Sequence, residues 1–308
     1  MAVSRSQLLK ELVPGLNALF GLEYKQYPEE WSELFMTETS ERAFEEEEKL
    51  SGFGLAKTKT EGNAITYDNA QEVWTARYTH QTIALGFAIT EEAMEDNLYD
   101  SLATRYTKAL ARSMAQTKEL IAASIINNGF SSYNSGDGVT LFNTAHPTVS
   151  GLTNANTPTV GIDLNETAIE NMFIQIAGWV DERGLLLAAR PKKLIIPANL
   201  HFSAERLLKS KYRTGTADND VSAMLEVGVF PEGYSINHRI SDTRAWYVTT
   251  DVPNGLKHFE RVALKTGTEG DFETGNFKYK ARERYSFGVS DPLGIWASPG
   301  GAGTSTAA

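Results

Sequence analysis

The chain has 308 residues, a formal net charge of −10, 41% hydrophobic and 22% charged residues, and no cysteine. This composition supplies a packed core and excludes disulfides, thiolate catalysis and cysteine-ligated metals. The negative balance argues against a protein that coats nucleic acid by neutralising phosphates, and no apolar run reaches the ~20 residues that span a bilayer.

At the N-terminus, Leu8, Leu9, Leu12, Val13, Leu16, Leu19 and Phe20 recur at helical spacing. Pro14-Gly15 should break or kink that helix, leaving a short amphipathic segment and an extended arm. Between Glu23 and Leu50 stand ten acidic residues and three basic ones. Four of the acids are consecutive: Glu45, Glu46, Glu47 and Glu48. Such a run is either a solvated face or an arm that docks on a basic patch of another chain.

Residues 52–90 read as one long hairpin. "SGFGLAKTKT" leads out, Glu61, Gly62 and Asn63 make the turn, and residues 73–89 return as a single strand. That strand would span about 55 Å. Val73, Ile83, Leu85, Phe87 and Ile89 fall on one parity, and Trp74, Tyr78 and Ala84 on the other. The outer half is polar on both faces. A two-stranded ribbon is marginal by itself in water, so the ribbon is expected to reach for another subunit. Its candidate contact residues are Lys57, Lys59, Glu61, Gly62 and Asn63.

A long helix over 90–128 follows, with Thr90 as N-cap and acidic Glu91 and Glu92 in its first turn. Its stripe runs through Met94, Leu98, Leu102, Tyr106, Leu110, Met114, Leu120, Ile121 and Ile125. Residues 131–161, rich in Ser, Thr, Asn and Gly, read as a long loop. A helix is expected over 163–184 behind a capping sequence, "DLNE", and Asp181-Glu182 at its end as solvated. Next come a strand at 192–197 and helices at 199–210 and 220–227. Strands at 235–239, 246–250, 259–265, 277–284 and 285–289 complete the pattern, and 299–308 reads as a disordered tail. The order makes an α+β chain.

Motifs for chemistry are missing. His80, His146, His201, His238 and His258 show no metal-ligand spacing. There is no nucleophile elbow, Walker A loop or dinucleotide fingerprint, so no catalytic, cofactor or metal residue is assigned. In "KYKARERYSF" basic and aromatic residues interleave. Strand alternation explains that as well as single-strand nucleic-acid binding does, and the net charge disfavours the latter.

An oversized ribbon leading into an oversized helix resembles the extended loop and spine helix of tailed-phage major capsid proteins of the Hong Kong 97 type. "LVPGLNALFGLEY", "FEEEEKLSGFGLAKTKTEGNAITYDNAQE", "RYTHQTIALGFAITEEAMEDNLYD", "DGVTLFNTAHP", "ARPKKLIIP" and "RERYSFGVSDPLGIWAS" resemble the Mu-like branch of that family. The resemblance implies an N-terminal arm (1–35), an extended loop (36–90) and a peripheral domain in two parts (91–161 with the spine helix, and 245–298). It places an axial domain at 162–244. It further implies a non-enzymatic shell subunit that joins copies of itself as hexamers and pentamers, is built in the bacterial cytoplasm and ends in the virion. Expected partners are a separate scaffolding protein, a portal, a decoration protein and enclosed double-stranded DNA held without sequence-specific binding, with no membrane and no cofactor. An encapsulin-like cellular compartment of the same fold is the alternative, and an enzyme of unrecognised type a third.

Overall fold

The computed structural model describes residues 5–90, 92, 99–212, 221–270 and 275–301. Helix α1 (Arg5–Gln26) runs through Pro14 without a break, against the expected interruption. Packing explains the difference: Leu16 and Phe20 are buried with Leu110, Ala111 and Met114 of the long helix α2 (Tyr99–Asn127). That burial offsets the one backbone hydrogen bond a proline removes. No extended arm follows α1. A 3-10 turn at Glu30–Glu33 leads instead to strand β1 (Met36–Thr39).

The expected single strand over 73–89 is two strands. The first, β3 (Glu72–Thr79), pairs antiparallel with β2 (Phe44–Leu50). The second, β4 (Gln81–Ile89), joins a different sheet. His80 stands between them and is buried. Its Nε2 is 2.9 Å from Ser40 Oγ, its Nδ1 is 3.0 Å from Ser286 Oγ, and Ser40 Oγ donates to Glu45 at 2.7 Å. The hydroxyl proton of Ser40 is committed to Glu45, so His80 Nε2 donates and Nδ1 accepts from Ser286. This pinned ring is the pivot at which the chain leaves one ladder for the other.

Strand β4 lies in the order β1-β10-β11-β4, where β10 (Leu256–Gly270) and β11 (Phe277–Val289) form a long antiparallel pair and β1 runs parallel to β10. The expected 277–284 and 285–289 pieces are therefore one strand. Along β11, Phe277, Tyr279 and Ala281 are buried and pack with Leu110, Ala111 and Met114 of α2. Helix α2 is about 43 Å long at 1.5 Å per residue. Tyr106 and Leu120, expected in its stripe, are exposed. Residues taken every fourth position wind around the helix, which carries Tyr106 off the buried face, and Leu120, six residues past buried Met114, lies about a third of a turn away from it. The expected N-cap Thr90 precedes 91 and 93–98, which lie outside the described residues, as does Met94.

The region 131–161 holds a short pair, β5 (His146–Pro147) with β6 (Thr153–Asn154), an isolated antiparallel bridge between Asn134 and Thr140, and otherwise turns and irregular chain. Helix α3 (Glu166–Ala177) is capped by Asn165, whose side chain accepts from the Ala168 N–H at 2.8 Å. It ends at Gly178 and not at Gly184, which makes a separate tight turn with φ +83°. Glu182, expected in solvent, is buried and accepts from the Val149 N–H at 3.1 Å, and burial raises its carboxyl above the usual range.

A second sheet has the order β12-β9-β7-β8, built from β7 (Pro191–Ile196), β8 (Tyr234–Ile236), β9 (Trp246–Thr250) and β12 (Ile295–Ser298). Helices α4 (His201–Lys209) and α5 (Ala223–Val227) accompany it. Period-two alternation gives it two buried faces. Leu194, Ile196, Trp246, Val248 and Trp296 pack against α3, while Ile195, Tyr247, Ile295 and Ala297 pack toward the end of α2. Part of the expected tail is held in place: Gly301 N donates to Asp163 at 2.9 Å, and Arg244 donates to the Gly301 carbonyl.

Between the 3-10 turn and α2 lies a buried carboxyl, Glu119, which accepts from the Trp31 N–H at 3.1 Å. Burial, with Glu30 nearby, raises its pKa from 4.5 to about 7. A carboxyl whose folded pKa is raised contributes stability that is full below pH 4.5 and lost as pH rises through about 7. Glu119→Gln keeps the acceptor and removes the titration. The variant should melt progressively higher relative to the parent as pH goes from 5 to 8. A gap that does not change with pH in thermal melts would refute this.

Candidate assembly interface

The ribbon β2–β3 is fastened to its own subunit along one face only. Period-two alternation turns Glu45, Glu47 and Lys49 inward and Phe44, Glu46, Glu48 and Leu50 outward. Glu47 takes hydrogen bonds from buried Lys257 and from Ser290, and Lys49 pairs with Asp291. Lys257 also reaches Glu38 at 2.9 Å. On the partner strand, Ala76 and Tyr78 are buried. The Tyr78 hydroxyl bonds Ser290 Oγ, and the ring packs edge-on to Phe259 at 4.8 Å. Two glycines make room for these aromatics. A Cβ on Gly288 would lie 2.5 Å from the Tyr78 ring, and one on Gly136 would lie 2.3 Å from Trp74.

The acidic run therefore splits by parity. Glu45 and Glu47 are engaged within the chain, whereas Glu46 and Glu48 point outward. Glu46 lies 3.7 Å from Arg77, itself stacked over Phe44 at 4.1 Å. Glu48 has no cationic partner among the described residues.

Past Leu50 and before Glu72 the ladder stops. The expected paired arms over 51–71 are irregular, because the segment has no face to lay against its own body. Its root is tied by the Ser51–Gln71 backbone bond at 2.9 Å and by the Gly54 N–H donating to Asp68 at 2.8 Å. The N–H groups of Gly54 and Asn69 hold the Asp68 carboxyl below its usual range. Arg183, from the turn after α3, donates to the Asn69 carbonyl and to Asp68 at 3.4 Å. That arginine anchor is a contact between distant parts of the chain that no local pattern reveals.

The bend falls where expected. Gly62 has φ +82°, the Asn63 N–H donates to the Thr60 carbonyl at 3.2 Å, and Asn63 Nδ2 donates to Thr60 Oγ1 at 2.5 Å. Lys57, Lys59, Glu61, Gly62 and Asn63 are all exposed. More telling are large apolar side chains that a loop in water should not show: Phe53 is 62% exposed, Leu55 80% and Tyr67 84%, with Ile65 also exposed. No sequence pattern marks them as contact residues, because they fall at mixed parity in an irregular segment. Among the described residues no group of His, Asp or Glu could hold a metal ion.

In fold, the chain is similar to the virus-like particle from Pyrococcus furiosus (TM-score 0.52, 12% identity, covering 92% of this chain and 98% of that one). It is similar to the capsid of a native GTA particle (0.54, 14%, 89% and 90%) and to the capsid of the cyanophage P-SCSP1u (0.54, 10%, 86% and 85%). No curated protein matches it. The ribbon, the spine helix α2 and the two sheets thus form the Hong Kong 97-type α+β fold. The family model for the phage capsid protein matches residues 72–298, from the first residue of β3 to the last of β12, and the chain belongs to that family.

Proposed function

We propose that copies of this major capsid protein close into an icosahedral shell of hexamers and pentamers around double-stranded DNA, with the ribbon lying on a neighbouring subunit. The observation that carries the reading is the ribbon itself: anchored at its stem and, through Arg183, at its root, free beyond that, and bearing Phe53, Leu55, Ile65 and Tyr67 in the open. Burying such a side chain contributes about 1.5–3 kcal/mol, so a neighbour that covers the four gains several kcal/mol per contact. Closed shells need repeated heterologous contacts of this kind. In this reading residues 1–35 form the arm, 36–90 the extended loop, 91–161 with 245–298 the peripheral domain, and 162–244 the axial domain. A scaffolding protein and a portal are the assembly partners, with a decoration protein on the finished shell, and assembly takes place in the host cytoplasm. The net charge of −10 suits a container that does not grip its DNA. The role is structural, without catalysis.

Electron microscopy of the purified protein, expressed with and without a candidate scaffolding protein, tests the reading. Uniform closed shells tens of nanometres across are expected. Only monomers or small oligomers under both conditions would overturn it. Particles loaded with an enzyme in place of nucleic acid would favour a cellular compartment of the same fold.

A further inference from the structure

The sheet β1-β10-β11-β4 has helix α2 on one face; the other face carries a row of cations. Along β11 the residues alternate between buried Phe277, Tyr279, Ala281 and Glu283 and exposed Lys278, Lys280 and Arg282. The ladder register shows what surrounds the exposed ones. Lys278 is opposite Glu269 on β10, so a carboxylate faces it. Lys280 lies between Gly267 and Gly86, and Arg282 lies between Lys265 and Ala84. Lys265 is exposed too. Like charges directly opposite in a ladder are unfavourable. Among the described residues, none of Lys265, Lys280 and Arg282 has an ionic partner. The patch is thus three cations over a floor of glycine and alanine, which leaves room for another backbone to lie down. At Gly86 that floor is enforced, since a Cβ there would come within 2.6 Å of the Tyr279 carbonyl.

The complement stands on the same molecule, on another element. Glu46 and Glu48 project from the outward face of the ribbon, two residues apart on a strand. Alternate strand residues are about 7 Å apart, and Lys280 and Arg282 are two apart on a strand as well, so the two pairs match in spacing. The acidic pair sits on a ribbon fastened near β1 and the start of β10, through Lys257. The cations sit further along the β10–β11 pair. Opposite charges at separated places on one chain make a head-to-tail contact between copies, the heterologous kind that propagates around a shell.

We propose that Lys265, Lys280 and Arg282 of one copy form the seat for the outward glutamates Glu46 and Glu48 of a second copy's ribbon. This assignment rests on the shell reading above and names the surface on which the ribbon lands. Salt should weaken the contact, as it does any exposed charge pairing.

A charge-swap experiment tests it. K280E/R282E and E46K/E48K are made separately and then combined in one chain, with E48K alone as a milder variant that leaves the Glu46–Arg77 pair intact. Folding of each is checked by thermal melting. Each single-surface variant should lose closed shells at least about tenfold by electron microscopy, and the four-substitution chain should recover most of them. Folded single-surface variants that assemble normally would overturn the seat, as would a folded four-substitution chain no better than its parents. So would a K280E/R282E chain that closes normal shells but packages less DNA, since the patch would then face the lumen. Should the parent itself close no shells, the shell reading fails, and the seat is judged by sedimentation equilibrium of the soluble subunits. Association weakened by either swap and restored by both supports it; association indifferent to the swaps refutes it.

Discussion

A chain lacking Lys59–Thr66 stays soluble and melts within about 2 °C of the parent, yet no longer closes shells. The first half of this expectation follows from what the deleted residues touch. Their hydrogen bonds are local, from Asn63 to Thr60, and all of these residues are exposed. The bonds that fix the ribbon to its own body lie elsewhere, at Glu47, Lys49, Tyr78, Asp68 and Arg183. Removing exposed loop residues changes stability little, since loop-closure entropy varies only slowly with length. The second half follows from the exposed side chains. The deletion takes away Ile65 and the bend, and it shortens the reach of Phe53, Leu55 and Tyr67 toward any neighbour. Interfaces draw most of their energy from a few apolar and aromatic anchors, and losing their geometry costs more than losing one of them. Sedimentation and electron microscopy read the result. Normal shells from the folded deletion chain would remove the ribbon from the assembly contact.

Much of this architecture was legible because it rests on local patterns. The bend at Gly62-Asn63, the strand of 192–197, the helix near 199–210 and the long helix were each marked by turn residues or periodicity. The break at His80 was also written in the chain. Trp74, Ala76 and Tyr78 lie inward at even positions, and Ile83, Phe87 and Ile89 at odd ones. An unbroken strand cannot change parity, so the switch between Tyr78 and Ile83 marks a pivot; reading both parities as one strand missed it. Other features have no local signal. Whether Pro14 breaks α1 depends on the burial of Leu16 and Phe20 against α2. The inward use of Glu47 depends on Lys257, more than two hundred residues away. The cations at Lys280 and Arg282 were visible as alternation, but their isolation depends on the ladder placing glycines and Lys265 beside them.

The largest loss of stability from one side chain is expected at Asn156. The region around it reads as loop by composition, yet Asn156 is fully buried. Its Nδ2 donates to the carbonyls of Leu141 at 2.7 Å and Pro292 at 2.9 Å. Its Oδ1 accepts from the Asn143 N–H at 2.9 Å and faces His146 Nε2 at 3.1 Å. The amide is oriented by these partners: two carbonyls require the nitrogen, and a backbone N–H requires the oxygen. His146 Nε2 is therefore the donor in its contact, while Nδ1 of the same buried ring lies 2.6 Å from Asp137. One side chain thus ties the segment after α2 to the 3-10 turn Pro292–Gly294 that leads into β12. Asn156→Ala strands several buried groups at once. Each unsatisfied group costs about 1–3 kcal/mol, so a total of about 4 kcal/mol is expected, at the edge of what single substitutions reach. Asn156→Asp should be at least as damaging, because it presents an acceptor to two carbonyls. Asn143→Ala, which keeps the backbone N–H bonded to Asn156, should cost far less. Denaturant melts of the three variants decide it. Equal, small losses at 143 and 156 would mean that the polar network does not hold this segment, and that apolar packing of Leu141 and Phe142 against the second sheet suffices to order a stretch with almost no regular secondary structure.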